Sequence, residues 1–318
     1  MSDMVQIGKS QLGESQVGKS QLGKVRIGKF RSGPMRAPVP VLALVAGLVA
    51  LFGFGINFGE AVVGRAGAPS HGHGGHGVDD DDQGTGPGGL AIASQGYVLR
   101  PRTTLFTAGE YENLRFNIFG KDGKPLTDFT RVGDRKMNLI VVRRDLTGYQ
   151  HLYPVMDPDG TWTVPLELEE PGSYHAIAVF LPGTAKKPVT LGMDLTAPGL
   201  VEPGPISKVS TIADATDGYS VIRTGDLVGG SVSRVWMHVI RDNLPVSDLD
   251  PLLGGSGHLV VLREGDLAYL SAQPVAGPRQ DTAIDFDVAV PTAGYYRMIL
   301  EFQHHGQVRT VEFTALAR

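Results

Sequence analysis

The chain has 318 residues, 42% of them apolar, which is enough for about two domains with cores of their own and too apolar for a wholly disordered polymer. A formal charge of −4, with no basic stripe carrying interleaved aromatics, argues against nucleic acid as a partner. Cysteine is absent, which excludes disulfides, thiolate zinc sites, a cysteine nucleophile, lipoprotein attachment and a cysteine-ligated blue-copper centre.

Residues 1–37 repeat a five-residue unit, QIGKS, QLGES, QVGKS, QLGKV and RIGKF, with glycine at positions 8, 13, 18, 23 and 28. A period of five fits neither a helix face nor a strand face, and the glycines oppose helix formation. The expectation is a disordered basic tail, with contact to anionic lipid headgroups as a side effect. Residues 38–60 follow, and from 39 to 58 they carry no charge. About 20 apolar residues span a bilayer as a helix, because a helix satisfies its backbone groups internally. Seven Lys and Arg residues against Asp3 and Glu14 precede this stretch, whereas Arg65 and then the acidic run 79–82 follow it. This asymmetry predicts a plasma-membrane protein with its lipid contact through 38–60, a cytoplasmic N-terminus and extracytoplasmic domains. The alternative is secretion after cleavage. Ala66-Gly67-Ala68 imitates a cleavage site, but Pro69 is unfavourable there and the basic leader is long for a signal peptide.

Residues 61–94 form a Gly-rich linker with His71, His73 and His76 ahead of four aspartates. Three imidazoles so close together attract Cu or Zn, although a glycine spacer pre-organises no geometry. Beyond it, alternating strands are predicted at 137–143, 162–168, 174–180, 232–240, 258–263, 286–290 and 296–302. Short strands at such spacing, without long amphipathic helical patterns, predict an all-β chain of two tandem Ig-like sandwiches. They occupy 95–200 and 218–318, joined by a linker at 201–217.

The two halves repeat. An offset of 120 relates Pro125 to Pro245, Asn138 to His258 and Pro154 to Pro274; EPGSYHAIAVF and TAGYYRMILEF then align at an offset of 122. Gly172 and Gly294 relieve a bend before a buried strand, and Tyr174 with Phe180, like Tyr296 with Phe302, share one face by even spacing. Candidate metal ligands within the domains are His151, with Tyr153 beside it and His175 across the sheet, and His258. A lone His in a sandwich is more often a hydrogen-bonded residue than a ligand. His238 alternates with Val235, Met237 and Val239 and is placed on the polar face; His304 and His305 read as exposed turn residues. Asp128 and Asp248 read as turn-capping carboxylates. With no nucleophile elbow, P-loop or paired carboxylates, no catalytic residues are assigned and an enzyme is not expected. An interaction module with a protein partner at the sandwich end loops is the alternative to metal handling.

The segments MNLIVVRRDLTGYQHLYP and GHLVVLREGDLAYLSAQP resemble those of exported actinobacterial proteins with duplicated β-sandwich domains. These are often labelled heavy-metal-binding or secreted, and are similar to CopC- and YtkA-like domains. The resemblance implies a cupredoxin- or CopC-like sandwich and a divalent metal such as copper. It also implies a histidine opening the central strand and an HxHP motif after it in each copy. Here Asn138 stands in the first place of copy one, which keeps His151 but has Tyr153. Copy two keeps His258 but has Ser271 and Gln273. The implied site is therefore degenerate, since neutral oxygens replace imidazoles.

Overall fold

The computed structural model describes residues 87–318 apart from 206–207 and 276–282. The basic tail, the apolar span at 38–60 and the linker histidines lie outside the described residues. Every regular element described is a strand.

The first sandwich is built from β1 (Ala93–Ser94), β2 (Tyr97–Pro101), β3 (Tyr111–Phe119), β4 (Phe129–Thr130), β5 (Met137–Arg143), β6 (Gln150–Leu152), β7 (Val155–Met156), β8 (Thr161–Glu167), β9 (Gly172–Pro182) and β10 (Val189–Ala197). Its sheets run β1-β2-β3-β8-β7 and β10-β9-β5-β6. The second contains β11 (Ile212–Asp214), β12 (Tyr219–Thr224), β13 (Ser231–Arg241), β14 (Leu244–Pro245), β15 (His258–Arg263), β16 (Tyr269–Leu270), β17 (Ala272–Pro274), β18 (Ala283–Val290), β19 (Gly294–His304) and β20 (Gln307–Ala317). Its sheets run β11-β12-β13-β18-β17 and β16-β15-β19-β20. Both have the immunoglobulin constant-type order, A-B-E-D (β2-β3-β8-β7 and β12-β13-β18-β17) on one sheet and C-F-G on the other, with two extra edge strands, one beside A and one beside C. In each, the connection after the A strand, β2 or β12, makes a short parallel bridge to the last strand, Leu105 with Thr196 and Leu227 with Ala317. β11 falls in the segment expected to be a linker, because Ile212, Ala213 and Asp214 pair with Ile222, Val221 and Ser220 of β12.

Alternation explains each core. Leu139 and Val141 of β5 and Tyr174, Ala176, Ala178 and Phe180 of β9 point into the first core. Leu259, Val261, Tyr296, Met298, Leu300 and Phe302 do the same in the second. Both copies also tie a tyrosine back at the start of the F-equivalent strand: the Tyr174 hydroxyl donates to the Glu170 carbonyl at 2.7 Å, and Tyr296 to that of Thr292 at 2.8 Å. This is the tyrosine corner of immunoglobulin sandwiches. Gly172 and Gly294 open those strands at φ of +151° and +141°, a region that side-chain-bearing residues avoid.

The opposite faces of β5, β9, β15 and β19 are apolar as well. Ile140, Val142 and Ile177 of the first sandwich form a third buried cluster with Val260, Leu262 and Ile299 of the second. The two C-F-G sheets therefore pack against each other, each buried on both faces. This explains why MNLIVVR and HLVVLR are near-continuous apolar runs where a one-sided strand would alternate. A strap from the linker closes one edge of this seam. Gly88 exchanges two 2.9 Å backbone bonds with Tyr269 of the second sandwich, and the Gly192 amide of the first donates to the Ala91 carbonyl at 2.8 Å.

Candidate functional site: a buried polar cluster and a cleft between the sandwiches

His151 lies on β6 beside Ile140, facing the seam; His258 opens β15 and pairs with Glu301 of β19 on the facing sheet. The seam thus brings together the two candidate histidines that the sequence left in different domains. His151 Nδ1 lies 2.6 Å from Glu301 Oε2, and the Tyr149 hydroxyl donates to Glu301 Oε1 at 3.2 Å. The His151 and His258 rings stack at 5.0 Å with an interplanar angle of 27°, and Tyr153 lies 4.8 Å from His151 on another side. The His151 and Glu301 side chains are 3% and 6% exposed, so the carboxylate must be held by partners to stay ionised.

The electrostatics follow from this packing. Burial pushes the Glu301 carboxyl up, but hydrogen bonds from His151 and Tyr149 and the two nearby imidazoles hold it, on balance, below its usual range. Burial, aided by His151, lowers His258 to about 4, so its imidazole is neutral at pH 7. Burial and the Glu301 charge raise Tyr149 well above its ordinary value and Tyr153 to about 12, keeping both hydroxyls protonated donors. His151 Nε2 and His258 Nε2 are buried without a hydrogen-bond partner.

The expectation of a metal held by His151 and His258 meets an unfavourable geometry. Among the described residues no group of three or more His, Cys, Asp or Glu side chains is placed to hold a metal ion. Glu301, the third donor within reach, is already engaged by His151 and Tyr149. Imidazole lone pairs lie in the ring plane, so those of two stacked rings run side by side instead of meeting at one point about 2 Å from each. As arranged, these residues form a hydrogen-bonded seam and do not fit a coordination sphere.

Next to the cluster, the two sandwiches leave a cleft of about 340 Å³. Two equivalent tight turns flank it: Val132 and Arg135 exchange backbone bonds of 2.7 and 3.2 Å, and Leu252 and Gly255, 120 residues later, bonds of 2.8 and 2.9 Å. Val132, Val179, Leu253, Tyr269 and Ala272 give it part-exposed apolar walls, backed by the core side chains Met137, Phe180, Leu259 and Phe286. Asn138, His258 and Gln273 also line it, and each keeps a buried side-chain atom with no partner (Oδ1, Nε2 and Oε1). Asn138 and His258 occupy matching places in the two copies. No aspartate or glutamate is among the lining residues, which include Arg135 and Lys136.

The remaining candidates are structural. His175 is buried between two acceptors, Asp194 Oδ1 at 2.7 Å and the Gly89 carbonyl at 2.6 Å, and so clamps the strap. His304, expected at an exposed turn, is 5% exposed; it bonds the Tyr219 hydroxyl at 2.7 Å and Asp248 at 3.1 Å. The turn proper is His305-Gly306, both at positive φ, and His305 is exposed there. His238 lies on the outer face, as expected, 3.3 Å from the Thr224 hydroxyl. Sequence reasoning missed Glu301 and Tyr149. Their only signal was polarity inside otherwise apolar or turn-like segments.

Residues 213–318 match the model of a family described as a domain of unknown function, DUF8832. No curated protein matches the chain. Among solved structures, the Escherichia coli adhesin FdeC matches at 12% identity over 71% of this chain and 65% of that one, with a TM-score of 0.23. Invasin, a bacterial integrin-binding protein, matches at 14% identity over 72% and 41%, with a TM-score of 0.20. A three-Ig-domain fragment of titin matches at 7% identity over 70% and 64%, with a TM-score of 0.19. The chain spans less than two thirds of the length of each of these structures.

Proposed function

We propose that this chain is a non-catalytic binding module, carried outside the cytoplasm on the apolar span at 38–60, and that it takes a ligand in the cleft between its sandwiches. The observation that carries the reading is the cleft itself. Both copies line it, its walls are apolar, and three of its residues hold buried polar atoms without partners. Leaving such an atom unpaired costs roughly 1–3 kcal/mol, and the polar groups of a ligand in the cleft would satisfy these three. Apolar walls with a few convergent polar groups are the usual composition of a small-molecule site. The end loops remain the surface on which a protein partner would act.

Filling the cleft tests this reading. Native mass spectrometry of the full chain, purified from its own membranes, is expected to show a small-molecule adduct that Ala272→Trp removes. Identical spectra from the two proteins would count against it. A metal-handling role is separated by titrating the full chain calorimetrically with Cu(II) and Zn(II). Binding lost when His71, His73 and His76 are replaced, and unchanged in His258→Ala, agrees with the cleft reading. Micromolar binding abolished by His258→Ala would put a metal in its place.

A further inference from the structure

We infer that the cleft takes a small amphiphile with an apolar chain and an anionic head, a medium-chain carboxylate being the simplest member of the class. This rests on the cleft being the ligand site and specifies what enters it. The first argument is charge. The ionised residues that line the cleft are Arg135 and Lys136, with no carboxylate among them to balance or to attract a cation. Arg135 lies 3.2 Å from Asp134 at the surface and stacks over Tyr153. Lys136 is half-buried and has no ion-pair or hydrogen-bond partner among the described residues. A half-buried ammonium is costly unless a counter-charge reaches it, and a ligand head group in the cleft would supply one.

The second argument is the neighbourhood of that ammonium. Asn138 is two residues on, at the start of β5, and both residues line the cleft. Its Oδ1 has no donor, and the same is true of Gln273 Oε1. Turning either amide by half a rotation presents N–H donors in that place, which suits an anion. The third argument is size. A cleft of about 340 Å³ is at the small end for ligand sites, which favours one short chain over a two-chain lipid or a folded segment. The lining residues that keep apolar surface, Val132, Val179, Leu253, Tyr269 and Ala272, are the ones placed to meet hydrocarbon.

The test uses the full chain in lipid nanodiscs with ¹³C-methyl methionine, titrated with octanoate, octanol and octylamine. Met137 belongs to the first core and also lines the cleft, and Met137→Leu assigns its signal; Met193, Met237 and Met298 sit in the cores without lining the cleft and serve as internal references. The expected result is a saturable shift of Met137 by octanoate at about a tenth of the concentration octanol requires, and no saturable shift with octylamine. The double substitution Arg135→Gln and Lys136→Gln should make octanoate and octanol equivalent. Equal responses in the unmodified protein, or a preference that survives the double substitution, would overturn the anionic head while leaving the cleft as a binding site. A Met137 signal that responds to none of the three would overturn the cleft itself.

Discussion

Glu301 is the residue at which the two copies meet most closely. It belongs to β19, yet both its hydrogen-bonding partners, His151 and Tyr149, come from the other sandwich. Its effect on stability has a definite sign with pH. Glu301 is held below its usual range and His258 at about 4, against an ordinary histidine value of 6.5. Between those values the unfolded chain binds a proton at His258 that the folded chain refuses, so stability is present above about pH 6.5 and falls toward pH 4. Protonation of Glu301 acts in the same direction. Thermal midpoints should therefore be lower at pH 5 than at pH 7.5. His258→Asn, which installs the residue that copy one carries at the matching place, should narrow that gap, and an unchanged gap would contradict the assignment. A second residue-scale test concerns His175. Its Nε2 donates to the Gly89 carbonyl, and removing it leaves that buried oxygen unpaired, so His175→Ala should lower denaturant stability by about 1–3 kcal/mol. Histidine roles were poorly legible in the sequence for a physical reason. His304 follows the alternation of Tyr296, Phe302 and their neighbours into the core, but its polar partners, Tyr219 and Asp248, lie 85 and 56 residues away.

The element that explains most is the central strand. Both β5 and β15 were legible with their limits intact, because a short apolar run bounded by turn residues has few other readings. The constant offset also predicts like halves, and the two halves have matching strand orders. What those runs face was not legible. Period-two reasoning gives a strand one buried side and one wet side, and nothing in a single sequence says that two wet sides will be apolar and find each other. The seam they form is open to direct measurement. Ile299 is fully buried in it, so Ile299→Ala should cost about 2–5 kcal/mol in a denaturant series, as a core substitution does, where a solvated face would lose almost nothing. The strap gives an independent check. A Cβ on residue 192 would overlap the Gly89 carbonyl oxygen, a contact only displacement relieves. Gly192→Ala should therefore expel the strap, and amide hydrogen exchange at Gly88 and Tyr269 should quicken while the exchange of β9 and β15 core amides stays slow.

At the scale of the whole molecule, two sandwiches of matching strand order bury their C-F-G sheets against each other and hold a polar cluster and a cleft in the seam. The cleft exists only because both copies are present, since its flanking turns come one from each. Two of the positions at which the copies differ, His258 against Asn138 and Glu301 against Val179, lie along this seam. With this seam buried, the two sandwiches behave as one body. Differential scanning calorimetry of the full chain tests this most directly. One endotherm is expected, with calorimetric and van't Hoff enthalpies equal, because neither sheet can expose its seam face without the other. Two separated endotherms, each the size of one sandwich, would contradict it.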